Sequence, residues 1–489
     1  MAIFIVSQPT QTVLPVYDDI IFVLRQTGIN LSSTSIAQFA MYLEFNFTTE
    51  DGATTIKRTL KAKANAEERF IFNASNVLSD FVSTDKFAYD GGLDGLYAAE
   101  VDESTVSLLF PKSIHRIDKF SRNKNAFTKV TIKAYKEYLN TSTQVYTSNN
   151  NTTTIGDYFI FNGTSQISRN SLSTSLGAKD YITNYELKAG SDNQFLTSFA
   201  PTTKRYVRWD YARQKGDYAT FAFINGGFPA VVGDTFDYEA GFGSIEYKFY
   251  SSDDTLLQTS THSNSNTNGG EVTLSGGGTP ITTPSGTFEE NNAGFLYVAV
   301  GPQNIRNSGI SIPATTNYYT VKAINGGSTA DSSTTYTFYL QDDDCKGFET
   351  IRLVWLNRLG GWEYYNITKK STRSVSIERA TLKQNYGSWD SSFYNHDTFE
   401  GGTKNHSIQA IENIECNTDF ITEDEASVLE QLFTSPEVYM QIGVGATDVT
   451  YKPVVVTEKD YIKQTTANDM LKQYILNVEI SHETRVQGI

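Results

Sequence analysis

The 489-residue chain has only two cysteines, Cys345 and Cys416, which excludes a disulfide framework and a cysteine-based structural zinc site. One bridge or two free thiols both remain open, and two free buried thiols are the expectation. Cations are in deficit: 40 Lys and Arg against 55 Asp and Glu leave a net charge of -15 and a pI near 4.9. A general phosphate-backbone binder needs the opposite balance, so direct contact with nucleic acid is not expected. No apolar run approaches the ~20 residues of a membrane-spanning helix, so no membrane insertion is expected. The opening MAIFIVSQPTQTV has no basic segment, and its apolar run stops at Ser7, so it does not read as a secretory signal. Synthesis in a cytoplasm is the expectation, and a cell-surface adhesin, which needs export, is disfavoured.

Reactive motifs are missing as well. The sequence holds no Walker phosphate loop, GxSxG elbow, HExxH, paired CxxC or strand-turn-helix GxGxxG, and we expect neither an enzyme nor a cofactor.

What is present favours strands. Tyr (29) and Phe (30) far outnumber Trp (4) and Met (4), mean hydropathy is -0.36, and polar turn residues are abundant. The length suits three or four domains of roughly 100–200 residues each. The expected fold is mainly β: several β-sandwich (Ig/fibronectin-like) domains in tandem with a small α+β C-terminal domain. Expected bounds are 1–140 for an N-terminal sandwich, 155–340 for one or two middle β-domains, 341–410 for a hairpin-containing domain and 411–489 for the α+β domain.

Residues 350–377 (TIRLVWLNRLGGWEYYNITKKSTRSVSI) are the most strand-like stretch. Both faces around Trp355 are largely apolar, which predicts a strand covered on both sides. Gly360 and Gly361 suit the positive φ angles of a tight hairpin turn, after which Trp362 leads the chain back. In residues 39–47, Met41, Leu43, Phe45 and Phe47 share one face, and in 129–138 Val130, Ile132, Ala134 and Lys136 do so. Residues 73–82 suggest a short helix. Residues 140–154 (NTSTQVYTSNNNTTT) are low in complexity and read as a long loop or linker, and 260–270 and 275–286 as exposed loops. Thr422 and Glu425 form a capping box, ahead of a helix whose stripe is Ala426, Leu429, Leu432 and Phe433 and whose stop is Pro436. In the final strand Tyr474, Leu476, Val478 and Ile480 alternate with polar residues.

Several constellations invite chemistry. Asp90, Asp94 and Asp102 suggest calcium, but their spacing fits no EF-hand loop. His396, Asp397 and Glu400 are types that bind metal or abstract protons; a loop packing against a neighbouring subunit is the favoured reading of that segment. Asp237 and Glu239 are acids of a glycosidase type, but alternation puts them on one strand face, as in a solvated strand. The sequons at Asn46, Asn73, Asn162 and Asn366 fit a Thr- and Asn-rich composition as well as they fit glycosylation. Tyr386, Trp389, Phe393 and Tyr394, in an aromatic and turn-rich stretch, are the candidates for subunit or ligand contact.

Three separated stretches carry a resemblance. They are PTQTVLPVYDDIIFVL at 9–24; the acidic turn Asp342-Asp343-Asp344-Cys345 with the following strand and WLNRLGGW at 355–362; and the helix after Thr422 with YKPVVVTEKDYIKQ and LKQYILNVEISHE. Together they resemble virion structural proteins of tailed phages of Bacteroidota, crAss-like phages among them. The resemblance implies a component of the tail, baseplate or portal-proximal (neck) ring, located in the virion. It further implies a ring-like homo-oligomer that contacts other tail or neck proteins. A receptor- or carbohydrate-binding tail protein, with aromatic loops stacking on sugars, is the alternative expectation.

Overall fold

The period-two pattern at 39–47 is realised along a long strand, β4 (Ile36–Thr48), whose Met41, Leu43, Phe45 and Phe47 are all buried. In this computed structural model the described residues are 3–27, 36–48, 55–88, 113–164, 184–188, 190–226, 243–263, 271–272, 281–282, 294–324, 331–341, 348–385, 387–389, 392, 394–395, 401–444, 449–458 and 473–481. They are mainly β. No described helix is long and apolar enough to cross a membrane. By its contacts the chain divides into two compact units, Met1–Gln341 with Leu356–Glu363, and Asp342–Trp355 with Tyr364–Ile489.

The first unit begins with a three-stranded sheet in the order β1 (Ile3–Ser7), β3 (Ile21–Gln26), β6 (Arg69–Asn73). A five-stranded sheet runs β2 (Val13–Pro15), β9 (Val145–Phe161), β8 (Phe127–Asn140), β4, β5 (Thr55–Ala62). The two share one core, in which Phe22, Leu24, Phe70 and Phe72 of the first meet Leu43, Val130, Ile132 and Tyr158 of the second. At 75–81 the expected short helix is α1 (Ser75–Leu78) followed by one tighter turn, Ser79–Phe81.

A four-stranded sheet, β10 (Glu186–Leu187), β13 (Thr220–Asn225), β18 (Phe295–Ala299), β7 (Phe120–Arg122), comes next. Beside it lies a six-stranded sheet in the order β12 (Lys215–Gly216), β11 (Arg205–Asp210), β20 (Tyr336–Gln341), β19 (Tyr318–Ile324), β14 (Ser244–Tyr250), β15 (Leu256–Ser263). Strands β13 and β18 are buried end to end, because both faces are covered. On one side Phe221 meets Tyr336 and Phe338 at 5.3 and 5.6 Å; on the other Phe295 meets Phe127 at 6.2 Å. A short pair, β16 (Glu271–Val272) and β17 (Ile281–Thr282), and one helical turn, α2 (Pro302–Asn307), complete this unit.

The second unit holds a seven-stranded sheet in the order β22 (Trp362–Ile367), β21 (Ile351–Leu356), β27 (Val438–Ile442), β28 (Thr450–Val456), β29 (Ile475–Ile480), β26 (Gly402–Asn417), β23 (Ser371–Gln384). It also contains α3 (Glu423–Thr434) and a two-stranded pair, β24 (Ser388–Trp389) with β25 (Tyr394–Asn395). The expected alternation of the last strand is present: Tyr474, Leu476, Val478 and Ile480 are buried and Ile475 is exposed.

Three expectations need correction. The polar stretch at 140–154 is no linker, since a turn at 141–144 joins β8 directly to β9 and the Asn- and Thr-rich residues are β9 itself. β-Branched Thr suits an extended strand whatever its polarity, and low complexity alone misreads it. Residues 260–263, expected in a loop, continue β15 in register with β14. Of the two glycines at 360–361 only Gly360 has positive φ, at 83°, so the turn is not the tight glycine pair expected.

Candidate assembly elements

The turn from 356 to 363 is built around Asn357. Its Oδ1 accepts from the amides of Leu359 and Gly361, each at 2.9 Å, and its Nδ2 donates to the Leu196 carbonyl and to Glu363 Oε1, also at 2.9 Å. This side chain satisfies four partners and adds to the backbone bonds of the turn, in which the Asn357 amide donates to the Gly361 carbonyl at 2.8 Å and the Gly360 amide to the Asn357 carbonyl at 3.1 Å. Glu363 also accepts from the Thr197 hydroxyl at 2.9 Å and the Ser198 amide at 2.5 Å. A Cβ on Gly360 would lie 2.7 Å from the Asn162 carbonyl oxygen, and one on Gly361 would overlap the Leu196 carbonyl oxygen. Trp362 Nε1 donates to the Asp85 carbonyl at 3.3 Å, and its ring meets His115 edge-on at 4.8 Å. Trp355 is fully buried in β21.

Next to this turn, Arg205 is packed among rings, 4.8 Å from the Tyr336 centroid and 5.2 Å from that of Phe199, while Nη2 donates to the Phe199 carbonyl at 2.9 Å. Burial pulls the Arg205 guanidinium down to about 10 and pushes the Glu363 carboxyl up, and the two groups oppose these shifts through their mutual attraction. Asn357, Glu363 and Arg205 are all buried, and the hydrogen bonds of Asn357 and Glu363 converge on the turn, so their work is to fix it.

The ribbon of β23 and β26 is different in kind. The two strands pair from Ser371↔Cys416 to Gln384↔Gly402, but β29 accompanies β26 only from Asn413 to Asn417. Beyond that point, from Val375↔Glu412 outward, two strands run on with no third among the described residues, for about 33 Å at roughly 3.3 Å per residue. Every described side chain of β23 after Ser371 is exposed, including Val375 (56%), Ile377 (46%) and Leu382 (50%). An isolated two-stranded ribbon is only marginally stable in water, and an unpaired edge offers a ready template for another strand.

Between the paired ends of this ribbon lie two of the expected contact aromatics, Trp389 and Tyr394. Trp389 stands directly opposite Tyr394 in the β24–β25 pair, and Tyr394 is exposed. Tyr386 and Phe393 lie outside the described residues, as do His396, Asp397, Glu400, Asp237, Glu239, Asp90, Asp94, Asp102 and Cys345. Among the described residues no three His, Cys, Asp or Glu side chains gather at one point. Cys416 is a buried free thiol, with burial pushing it up to about 12.

The capping box stands as read. Thr422 Oγ1 accepts from the Glu425 amide at 3.3 Å, and the Glu425 carboxylate accepts from the Thr422 amide at 2.9 Å. Ala426, Val428, Leu429 and Leu432 form the buried face of α3; the expected stripe missed Val428 and included Phe433, which is half-buried. Thr422→Ala is expected to cost about 1 kcal/mol in thermal unfolding of the full chain, with Thr422→Ser close to the parent. An unchanged Thr422→Ala protein would show that the sheet, not the cap, holds the helix.

Sequence reasoning missed a second element, a row of tyrosines on the outward face of the six-stranded sheet. Nothing local in the sequence says which strands are neighbours. Compared with protein-family models and with curated proteins, the chain matches none.

Proposed function

We propose that this chain is a structural component of a tailed-phage virion, in the tail, baseplate or portal-proximal ring. In this reading it acts by self-assembly and by contacts with neighbouring virion proteins rather than by catalysis, with no cofactor and no direct hold on nucleic acid. The observation that carries the reading is the β23–β26 ribbon. A protein that works alone has little use for a ten-pair ribbon whose outer strand is exposed along its length and bears Val375, Ile377 and Leu382, whereas a second copy of the chain supplies a further strand and covers the apolar side chains. The finer architecture belongs to the same proposal. Paired sheets over one core support an Ig/fibronectin-like sandwich at the N-terminus, running on through β9 to Ile160 rather than ending at 140, and paired sheets in the region expected at 155–340 support a second. Helix α3 beside β27–β29 supports an α+β domain at 411–489.

Light scattering on the full chain at two concentrations tests this reading. A defined oligomer is expected for the parent. The double variant Val375→Lys, Ile377→Lys, which alters exposed side chains only, is expected to shift the mass toward the monomer. A parent that stays monomeric at both concentrations, or a variant with the parent's mass, overturns the proposal. The alternative, a receptor- or carbohydrate-binding tail protein, draws on the tyrosine row.

A further inference from the structure

Four neighbouring strands of the six-stranded sheet each place one tyrosine in the same line across the outward face. Tyr206 of β11 pairs with Tyr339 of β20, Tyr339 with Tyr318 of β19, and Tyr318 with Tyr250 of β14. Ring centroids follow at 5.6, 5.4 and 4.9 Å, with interplanar angles of 39°, 34° and 11°. The exposed Leu256 of β15 stands opposite Tyr250 and extends the line by one strand. At these separations the rings cannot lie side by side in one plane, so they overlap like tiles; Tyr206 is exposed and Tyr250, Tyr318 and Tyr339 are half-buried. Alongside runs a polar row that includes Lys248, Thr320 and Thr337, in register with the tyrosines.

Cross-strand aromatic pairing alone explains two neighbouring rings, as it does for Tyr42 and Tyr135 on the five-stranded sheet, stacked at 4.8 Å. It does not call for a row that crosses strand after strand on a half-open face. Tyr206, at the end of the line, is 42% exposed. The charges beside the row largely cancel: Lys248 pairs with Glu246 at 2.7 Å, Lys204 sits 5.3 Å from the Tyr339 centroid, and Asp254 accepts from the Tyr318 hydroxyl at 3.0 Å. The result is a nearly neutral strip, apolar in its rings and polar at their rims, that repeats at the strand spacing of about 4.8 Å, close to the length of one sugar ring.

We propose that this row is a binding surface for a neutral polysaccharide chain. A periodic ligand fits a periodic row: C–H faces of successive sugar rings lie on the aromatic tiles, while their hydroxyls meet the tyrosine, threonine and lysine polar groups. An anionic chain would be better served by uncompensated lysines. The inference stands apart from the assembly reading, because the row belongs to the first unit and the ribbon to the second.

The test is affinity electrophoresis of the full chain in native gels containing dextran, soluble starch, galactomannan or xyloglucan, with polygalacturonate as the anionic control. Retardation by at least one neutral polysaccharide is expected, with a loss of tenfold or more in affinity for Tyr206→Ala and for Tyr339→Ala. Tyr339→Phe should retain most of the binding, and Tyr135→Ala, on the other sheet, all of it. The idea fails if no neutral polysaccharide retards the parent, if polygalacturonate is the stronger ligand, or if Tyr206→Ala and Tyr339→Ala bind like the parent. It also fails if Tyr206→Ala changes the oligomeric mass, since the row would then be a protein contact. The lysine variant of the ribbon is expected to bind as its parent does, so a failure of the assembly reading leaves this result readable.

Discussion

Replacing Glu363 by alanine is expected to cost the first unit about 3–5 kcal/mol, among the largest effects of any single change in this protein. The carboxylate accepts from Thr197, Ser198 and Asn357, all in a buried setting. Removing it strands those donors, at about 1–3 kcal/mol for each that finds no new partner. It also removes the negative charge that offsets the burial of Arg205, whose guanidinium has rings and the Phe199 and Thr203 carbonyls around it and no carboxylate within salt-bridge range among its described contacts. Glu363→Gln keeps an acceptor and most of the shape, so it should fall between the parent and alanine. With two units in the chain, a single unfolding midpoint is not a safe readout. Hydrogen exchange of the 195–199 amides, followed in denaturant, isolates the affected region. If those amides exchange at the parent's rate in Glu363→Ala, the turn is held by Asn357 and the two tryptophans, and the carboxylate is incidental.

A second large effect appears only when pH is varied. Burial raises the Asp85 carboxyl to about 6 despite hydrogen bonds from the amides of Lys124 and Asn125 and the Tyr297 hydroxyl. Its folded pKa lies above the unfolded one, so its contribution to stability is full below about 4 and is lost as pH rises through 6. His262 runs the other way. Burial, with Lys119 nearby, lowers it to about 4, and Asp118 opposes the shift. The ring packs edge-on against Tyr247 at 5.3 Å, and neither of its nitrogens has a hydrogen-bond partner. Its contribution is present above about 6.5 and is lost as pH falls through 4. Each shift corresponds to about 3 kcal/mol at 1.36 kcal/mol per pH unit, and between pH 4 and 6 the two slopes oppose each other.

Removing either group should therefore expose the slope of the other. Asp85→Asn is expected to lose about 3 kcal/mol more than the parent does between pH 7.5 and 4, measured as the difference between their denaturation free energies. His262→Phe, which keeps a ring against Tyr247, should become relatively more stable toward acid by a similar amount. Using differences cancels the surface carboxylates common to all three proteins. Parallel stability curves for parent and variants would mean that both groups are hydrated in solution and titrate near their ordinary values.

Much of the secondary structure was legible because its causes are local. Alternation at i, i+2 marks Met41, Leu43, Phe45 and Phe47 as one face, and the Leu476, Val478 and Ile480 run likewise, wherever the rest of the chain goes. The Thr422–Glu425 box is complete within four residues, so its geometry follows from its sequence. The misreadings also have local reasons. Low complexity at 140–154 suggested a linker, although alternating Thr, Asn and Tyr extend well beside a partner strand; and the glycine pair at 360–361 drew attention from Asn357, which organises the turn.

The sequence by itself determined that this chain is β-rich, acidic and poor in cysteine, and where the capped helix α3 and many of the described strands fall. Only the tertiary structure decided which strands are neighbours. That choice turns Tyr206, Tyr250, Tyr318 and Tyr339, spread over more than a hundred residues, into a single row, and sets Glu363 against Thr197 and Arg205. Among the described residues it also leaves β23 and β26 with no third strand past Asn413. The reason is physical: propensity and alternation act over a few residues, whereas pairing depends on hydrogen bonds and burial between segments far apart, and many pairings satisfy the same local pattern equally well.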